Sequence, residues 1–140
     1  MKAKDIMTEI VITVSENQTV KQVKKIFREN KINGAPVLDE NESVVGIITV
    51  NDLLEAFSDE NENPRKAKVK KYMSKNVISF DTEKDIISVF KLMQEKHIHR
   101  IIIKQDEKLE GIISTTDAYR VLLRIVNKPE LIKQLFTDMM

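Results

Sequence analysis

The sequence predicts a mixed α/β (α+β) fold: two β-α-β-β-α units packed by their small sheets about a pseudo-two-fold, followed by a C-terminal amphipathic helix. Three observations lead there. The stretch Val45-Gly46-Ile47-Ile48-Thr49-Val50-Asn51-Asp52-Leu53 returns as Glu110-Gly111-Ile112-Ile113-Ser114-Thr115-Thr116-Asp117-Ala118. The match extends outward: at an offset of 66, Ile6-Met7-Thr8 falls on Tyr72-Met73-Ser74, Val11 to Val14 on Val77 to Phe80, and Val20, Val23, Ile26, Phe27 on Ile86, Val89, Leu92, Met93. The offset slips to 65 only in the polar segments Asp39 to Ser43 and Gln105 to Lys108, where a surface turn tolerates an indel.

Each copy has one grammar. Val11-Ile12-Thr13-Val14 is a short β-branched run, and Thr19 then precedes a helical stripe at Val20, Val23, Ile26 and Phe27, with Gln22 where a capping box needs it. Ala35-Pro36-Val37-Leu38 and Val44-Val45-Gly46-Ile47-Ile48 follow as two strands joined by the polar turn. Pro36 is expected at the start of its strand because it cannot donate to a ladder. A second helix opens at Asn51 with Leu53, Leu54 and Phe57 on one face. The second copy repeats the order with Val77 to Phe80, a helix from Asp85 to Lys96, strands Arg100 to Lys104 and Leu109 to Ser114, and a helix from Thr116 carrying Val121, Leu122 and Ile125. Pro129 then opens an amphipathic segment with Leu131, Ile132, Leu135, Phe136 and Met139, which either packs on its own unit or makes a dimer contact. The boundaries read from the repeat are 1–63, 64–128 and 129–140. Between the units an acidic stretch, Ser58 to Pro64, precedes the basic run Arg65 to Lys71, which reads as a solvated linker, with an anion or nucleic-acid contact as the alternative.

Composition narrows the class. With 41% hydrophobic residues the chain is globular, and 23 basic against 22 acidic residues leave no global field for nucleic acid, so no nucleic-acid partner is expected. Trp is absent and aromatics are few, so no stacking platform is apparent. Without Cys there is no disulfide, thiolate nucleophile or cysteine metal site. Nowhere do about 18 apolar residues run together, and the start of the chain leads into no long apolar run. No membrane association is expected, and the protein reads as soluble and cytoplasmic.

The β-α-β-β-α order in tandem, with Ile-Met-Thr and Tyr-Met-Ser near the starts, Ala35-Pro36-Val37 on the second strand and Gly-Ile-Ile-(Thr/Ser)-x-x-Asp closing each unit, resembles a pair of CBS domains, the cystathionine-β-synthase type, or Bateman module, over residues 5 to 126. The resemblance implies a non-catalytic regulatory module. Such modules bind adenosine-containing ligands (AMP, ADP, ATP or S-adenosylmethionine) in the clefts between paired units and often dimerise into a flat disc. It implies no required cofactor, a homodimer, and a regulated protein whose identity is not written in this chain.

The residues carry the same reading in part. A hydroxyl followed three positions later by Asp, as in Thr49…Asp52 and Ser114…Asp117, is a helix capping box. It also sets a hydroxyl, a carboxylate and a positive helix end together, where a ribose diol can bond the carboxylate and a phosphate the amides. The resemblance assigns these positions to ribose and phosphate. It also lines the cleft with the residues before the Pro position, Asn33, Gly34 and Ala35 in the first copy and His99 and Arg100 in the second. It gives adenine recognition to the backbone at Ile12 and Ile78. Arg suits phosphate because its fork bonds two oxygens and stays charged; the alternative is that Arg100 is a surface residue and His99 an ordinary imidazole. The second copy departs from the pattern by placing Ile102 where Pro is expected, which should alter strand entry more than ligand chemistry. The site with His99 and Arg100 is expected to prefer phosphorylated ligands over the one with Asn33 and Gly34. No catalytic or metal residues are expected: His97 and His99 fit no nucleophile or ligand spacing, and the three glycines form no phosphate loop.

Overall fold

The computed structural model describes residues 1–9 and 12–137. In chain order its elements are α1 (Ala3–Ile6), β1 (Thr8–Glu9), β2 (Val14–Ser15), α2 (Val20–Asn30), β3 (Gly34–Leu38), β4 (Val44–Thr49), α3 (Val50–Ser58), α4 (Val69–Tyr72), β5 (Ser79–Asp81), α5 (Ile86–Lys96), β6 (Arg100–Gln105), β7 (Lys108–Ser114), α6 (Thr115–Asn127), a 3-10 turn at Pro129–Leu131 and α7 (Ile132–Phe136). Of the sequence expectations, Val11 in the first strand and Met139 in the last helix lie outside the described residues. Two compact units result, Val11–Val77 and Met1–Ile10 with Ile78–Met140.

In the Val11–Val77 unit, β3 lies between β2, parallel to it, and β4, antiparallel to it. The α2 helix starts as its sequence dictates. Thr19 Oγ1 accepts the Gln22 N–H at 3.2 Å, and Gln22 Oε1 accepts the Thr19 N–H at 2.9 Å. It ends at Lys31 in the left-handed region (φ 53), whose N–H returns to the carbonyls of Arg28 and Phe27. Val20, Val23 and Phe27 join Val14, Ala35, Val37, Ile48, Leu53 and Ala56 in one core, while Ile26 packs at its edge. The hairpin turns on Asp39, whose Oδ1 accepts from the backbone of Asn41 and Ser43.

In the other unit the sheet order is β1-β7-β6-β5, with β5 and β6 parallel and the other pairs antiparallel. Asp85 caps α5 by accepting the Ser88 N–H at 2.9 Å, and His97 closes the helix with φ 54, as Lys31 does in the first copy. One core gathers Ala3, Val89, Met93, Ile101, Ile103 and Ile113, and a second gathers Met1, Ile86, Val121 and Leu135. The last of these seats α7 on its own unit.

The leading segments dock crosswise to the sequence repeat. The Ala3 N–H donates to the Lys84 carbonyl at 2.7 Å and the Ile86 N–H to the Met1 carbonyl at 3.1 Å. Correspondingly, the Val69 N–H donates to the Gln18 carbonyl and the Val20 N–H to the Ala67 carbonyl, both at 2.9 Å. Residues preceding one copy therefore complete the other, whereas the boundaries 1–63 and 64–128 follow sequence order. Nor is the basic run simply a solvated linker: Ala67 and Val69 alternate with its lysines and are buried in the first core.

Two details differ from the sequence reading for one reason. Pro36 is not the first residue of its strand but the third of the central strand β3, opposite Ile47. In the second copy the Ile102 N–H donates to the Ile78 carbonyl at 3.1 Å and β5 pairs from Ser79 with Ile102. Pro36 has no N–H for the Ile12 carbonyl, so pairing with β2 begins one position later, at Val14 with Val37. The missing donor thus falls on the β2 side and spares the hairpin, and Ile12 and Thr13 lie outside the strand expected for them.

Candidate functional site

Each copy assembles its candidate residues at the junction where its hairpin passes into the following helix. In the Val11–Val77 unit, Gly34 stands opposite Thr49 in the β3–β4 register, and the Val50 N–H donates to the Asn33 carbonyl at 3.0 Å. Thr49 ends β4 and precedes α3, and Asp52 reaches back: its Oδ2 accepts the Thr49 N–H at 2.8 Å and the Thr49 hydroxyl at 3.1 Å. No described group donates to Asp52 Oδ1. Asn33, Gly34, Thr49 and Asp52 are thereby brought together beside the N-terminal amides of a nine-residue helix. Ala35 is different, because its side chain is buried in the core opposite Ile48.

In the other unit Arg100 stands opposite Ser114, and the Thr115 N–H donates to the His99 carbonyl at 3.1 Å. Asp117 Oδ2 accepts the Ser114 N–H at 2.8 Å and hydroxyl at 3.1 Å, matching the first copy. Its Oδ1 does not match. It accepts the Thr8 hydroxyl at 2.9 Å and Arg120 Nη1 at 3.0 Å, and Asp117 is 2% exposed. Arg100 is half-buried, and burial lowers its pKa from the usual guanidinium value; guanidinium basicity keeps it a cation at neutral pH. The Ile78 carbonyl already accepts from Ile102.

His99 and Arg100 serve different surfaces. His99 lines an apolar groove of about 470 Å³ between α5 and α6, with Phe90, Met93, His97, Ile98 and Ala118, and Arg100 is not part of it. A matching groove of about 460 Å³, lined by Phe27, Ile32, Val50, Leu53, Leu54 and Phe57, lies between α2 and α3. The residues sequence reasoning missed are Thr8 and Arg120. The signal was the position three after each Asp, one turn along the helix, where the first copy has Glu55 and the second Arg120.

A sequence model of the CBS domain matches residues 3–59 and again 69–124. An uncharacterized protein of Methanocaldococcus jannaschii is 32% identical over 123 residues, and the match covers 87% of this chain but only 40% of that protein. An uncharacterized 17.7 kDa protein of Acidianus ambivalens is 32% identical over 126 residues, covering 89% and 74% respectively. Among solved structures, the CBS domain pair of protein MJ0100 in complex with 5′-methylthioadenosine and S-adenosyl-L-methionine aligns with TM-score 0.77 and 27% identity, over 87% of this chain and 95% of that one.

Proposed function

We propose, since this chain belongs to the CBS domain family and carries two copies of the domain, that it is a regulatory module binding an adenosine-containing ligand: AMP, ADP, ATP or S-adenosylmethionine. The observation that carries this reading is the twice-built junction of a strand-end hydroxyl, a carboxylate three residues on and a helix N-terminus, in a chain similar to a pair bound to two adenosyl compounds. A ribose diol donates to a carboxylate, and a phosphate accepts from N-terminal amides and from an arginine fork. On this reading Asp52 and Asp117 are the two candidate ribose-side positions, Thr49 and Ser114 the hydroxyls beside the phosphate, and the backbones near Ile12 and Ile78 the adenine side. Arg100, with no counterpart cation at Gly34, gives the second copy the stronger preference for a phosphorylated ligand.

The module catalyses nothing and transmits occupancy to a regulated protein. Among the described residues no helix is long and apolar enough to cross a membrane, and the proposed site of action is the cytoplasm, as a homodimer. A ligand-free interaction module is the competing reading, favoured by the fact that protein groups alone already satisfy Asp117. Calorimetry and thermal shift with AMP, ATP, S-adenosylmethionine and 5′-methylthioadenosine separate the two. A ligand of the native state at 100 times its Kd adds about 2.7 kcal/mol of stability, and Asp52→Ala should reduce that gain. No shift with any of the four would favour the ligand-free module.

A further inference from the structure

A carboxylate presents about four acceptor positions. At Asp117 they are filled by four donors: the Ser114 N–H and hydroxyl, the Thr8 hydroxyl and Arg120 Nη1. Among the described residues only the Thr49 pair donates to Asp52, both to Oδ2, and none donates to Oδ1. The repeat shows why. Arg120 is replaced by Glu55, a carboxyl side chain, and Thr8 by Ser74, whose hydroxyl makes no bond to Asp52 among the described residues. The aspartates are alike in sequence and differ in what they can still accept.

We infer that the two copies differ in what they can read: Asp52 accepts a ribose diol, whereas the second copy reads an anionic group through Arg100 and is indifferent to the diol because Arg120 and Thr8 hold the Asp117 carboxylate. Arg120 is then a specificity-determining residue. It acts by occupying Asp117, and a diol could enter only by displacing donors already in place, exchanging one set of charge-assisted hydrogen bonds for another with no net gain. This inference rests on the adenosine reading above. It narrows it: of the two ribose-side positions, Asp52 takes the diol and Asp117 does not.

The test compares AMP with 2′,3′-dideoxy-AMP by calorimetry. In the native chain, AMP should bind more tightly than the dideoxy analogue. In Asp52→Ala, where any remaining discrimination must come from the Asp117 half-site, the affinity ratio should fall to near one. Adding Arg120→Ala to that variant vacates an acceptor position, and the ratio should rise again by about tenfold, the worth of a hydrogen bond to a charged group. Arg120→Lys, which keeps a donor for Asp117, should leave it near one. A merely structural role for Arg120, whose side chain is 67% exposed, would weaken both ligands equally and leave the ratio unmoved. Discrimination that persists in Asp52→Ala, or does not respond to Arg120→Ala, overturns the division of labour while leaving adenosine binding intact. Failure of the native chain to bind either nucleotide overturns both.

Discussion

At the scale of single residues, the repeated glycines are fixed by what crosses them. A Cβ at Gly46 would lie 2.6 Å from Met73 Sδ and 2.8 Å from the Ser74 carbonyl oxygen, and one at Gly111 2.7 Å from Met7 Sδ and 2.9 Å from the Thr8 carbonyl oxygen. A thioether can swing away. A carbonyl held in a bridge cannot, because the Ile47 N–H donates to Ser74 at 3.0 Å and the Ser74 N–H returns to Ile47 at 2.9 Å. Gly46→Ala and Gly111→Ala should each destabilise the fold by about 1–3 kcal/mol, as overpacking does, read as a lower denaturation midpoint. Gly-Ile-Ile and Met-Ser/Thr, which look like separate motifs, are two sides of one contact. Glu83 ties the N-terminal segment down in another way: hydrogen bonds from Lys2 and then Lys4 hold its carboxyl at about 2, against an ordinary 4.5. A folded value below the unfolded one means the contribution is present above about 4.5 and is lost as pH falls toward about 2. The three side chains are solvent-exposed and salt-screened, so Glu83→Gln should flatten the acid limb of the stability profile only slightly, and less at high salt.

At the scale of elements, the differences between copies explain where the last helix goes. Positions 21 and 24 on α2 are lysines, whereas their counterparts on α5 are Ile87 and Phe90, which pack at the edge of the cluster that buries Leu135. Only the second copy offers α7 an apolar seat. The amphipathic stripe of the terminal segment was legible, but α7 has five described residues and buries only Leu135, leaving Ile132 and Phe136 about half exposed. Leu135→Ala should cost about 2 kcal/mol, at the low end for a leucine truncation because the site is peripheral, measured by urea unfolding. What the sequence made legible is what neighbours within a few residues decide: the Thr19–Gln22 box, the Val20, Val23, Phe27 stripe, the Asp39 turn and the Asp52 and Asp117 caps. What it hid depends on distant partners. Because the two copies resemble each other, nothing local says which one Met1 and Ala3 or Ala67 and Val69 will complete. Likewise no spacing rule places Thr8 on Asp117, and Pro36 reads as a strand opener until its neighbouring strand is seen to give way.

For the whole molecule the unabsorbed feature is apolar surface at matching positions of both units. Val50, Leu54 and Phe57 recur along one side of α3, and Leu54 is 61% exposed. On α6, Tyr119, Leu122, Leu123 and Val126 do the same, and Leu122 is 57% exposed. Tyr119 and Leu122 are the repeat counterparts of Leu54 and Phe57. Two helices with exposed faces of this kind are stable in water when something covers them, and a face repeated in both copies suits a second copy of the chain. The terminal helix is the other candidate for a contact, and its buried Leu135 assigns it to its own unit. The two roles separate by experiment. Sedimentation equilibrium of the native chain should give about twice the 16.2 kDa of one chain, and Leu54→Glu with Leu122→Glu should halve that mass with the far-UV spectrum unchanged, since both side chains point to solvent within their units. Removing residues 129–140 should leave the mass ratio at two while lowering the unfolding midpoint. A native monomer, or a dimer that survives the glutamates and is lost with the terminal helix, would reverse the assignment and make α7 the dimer contact.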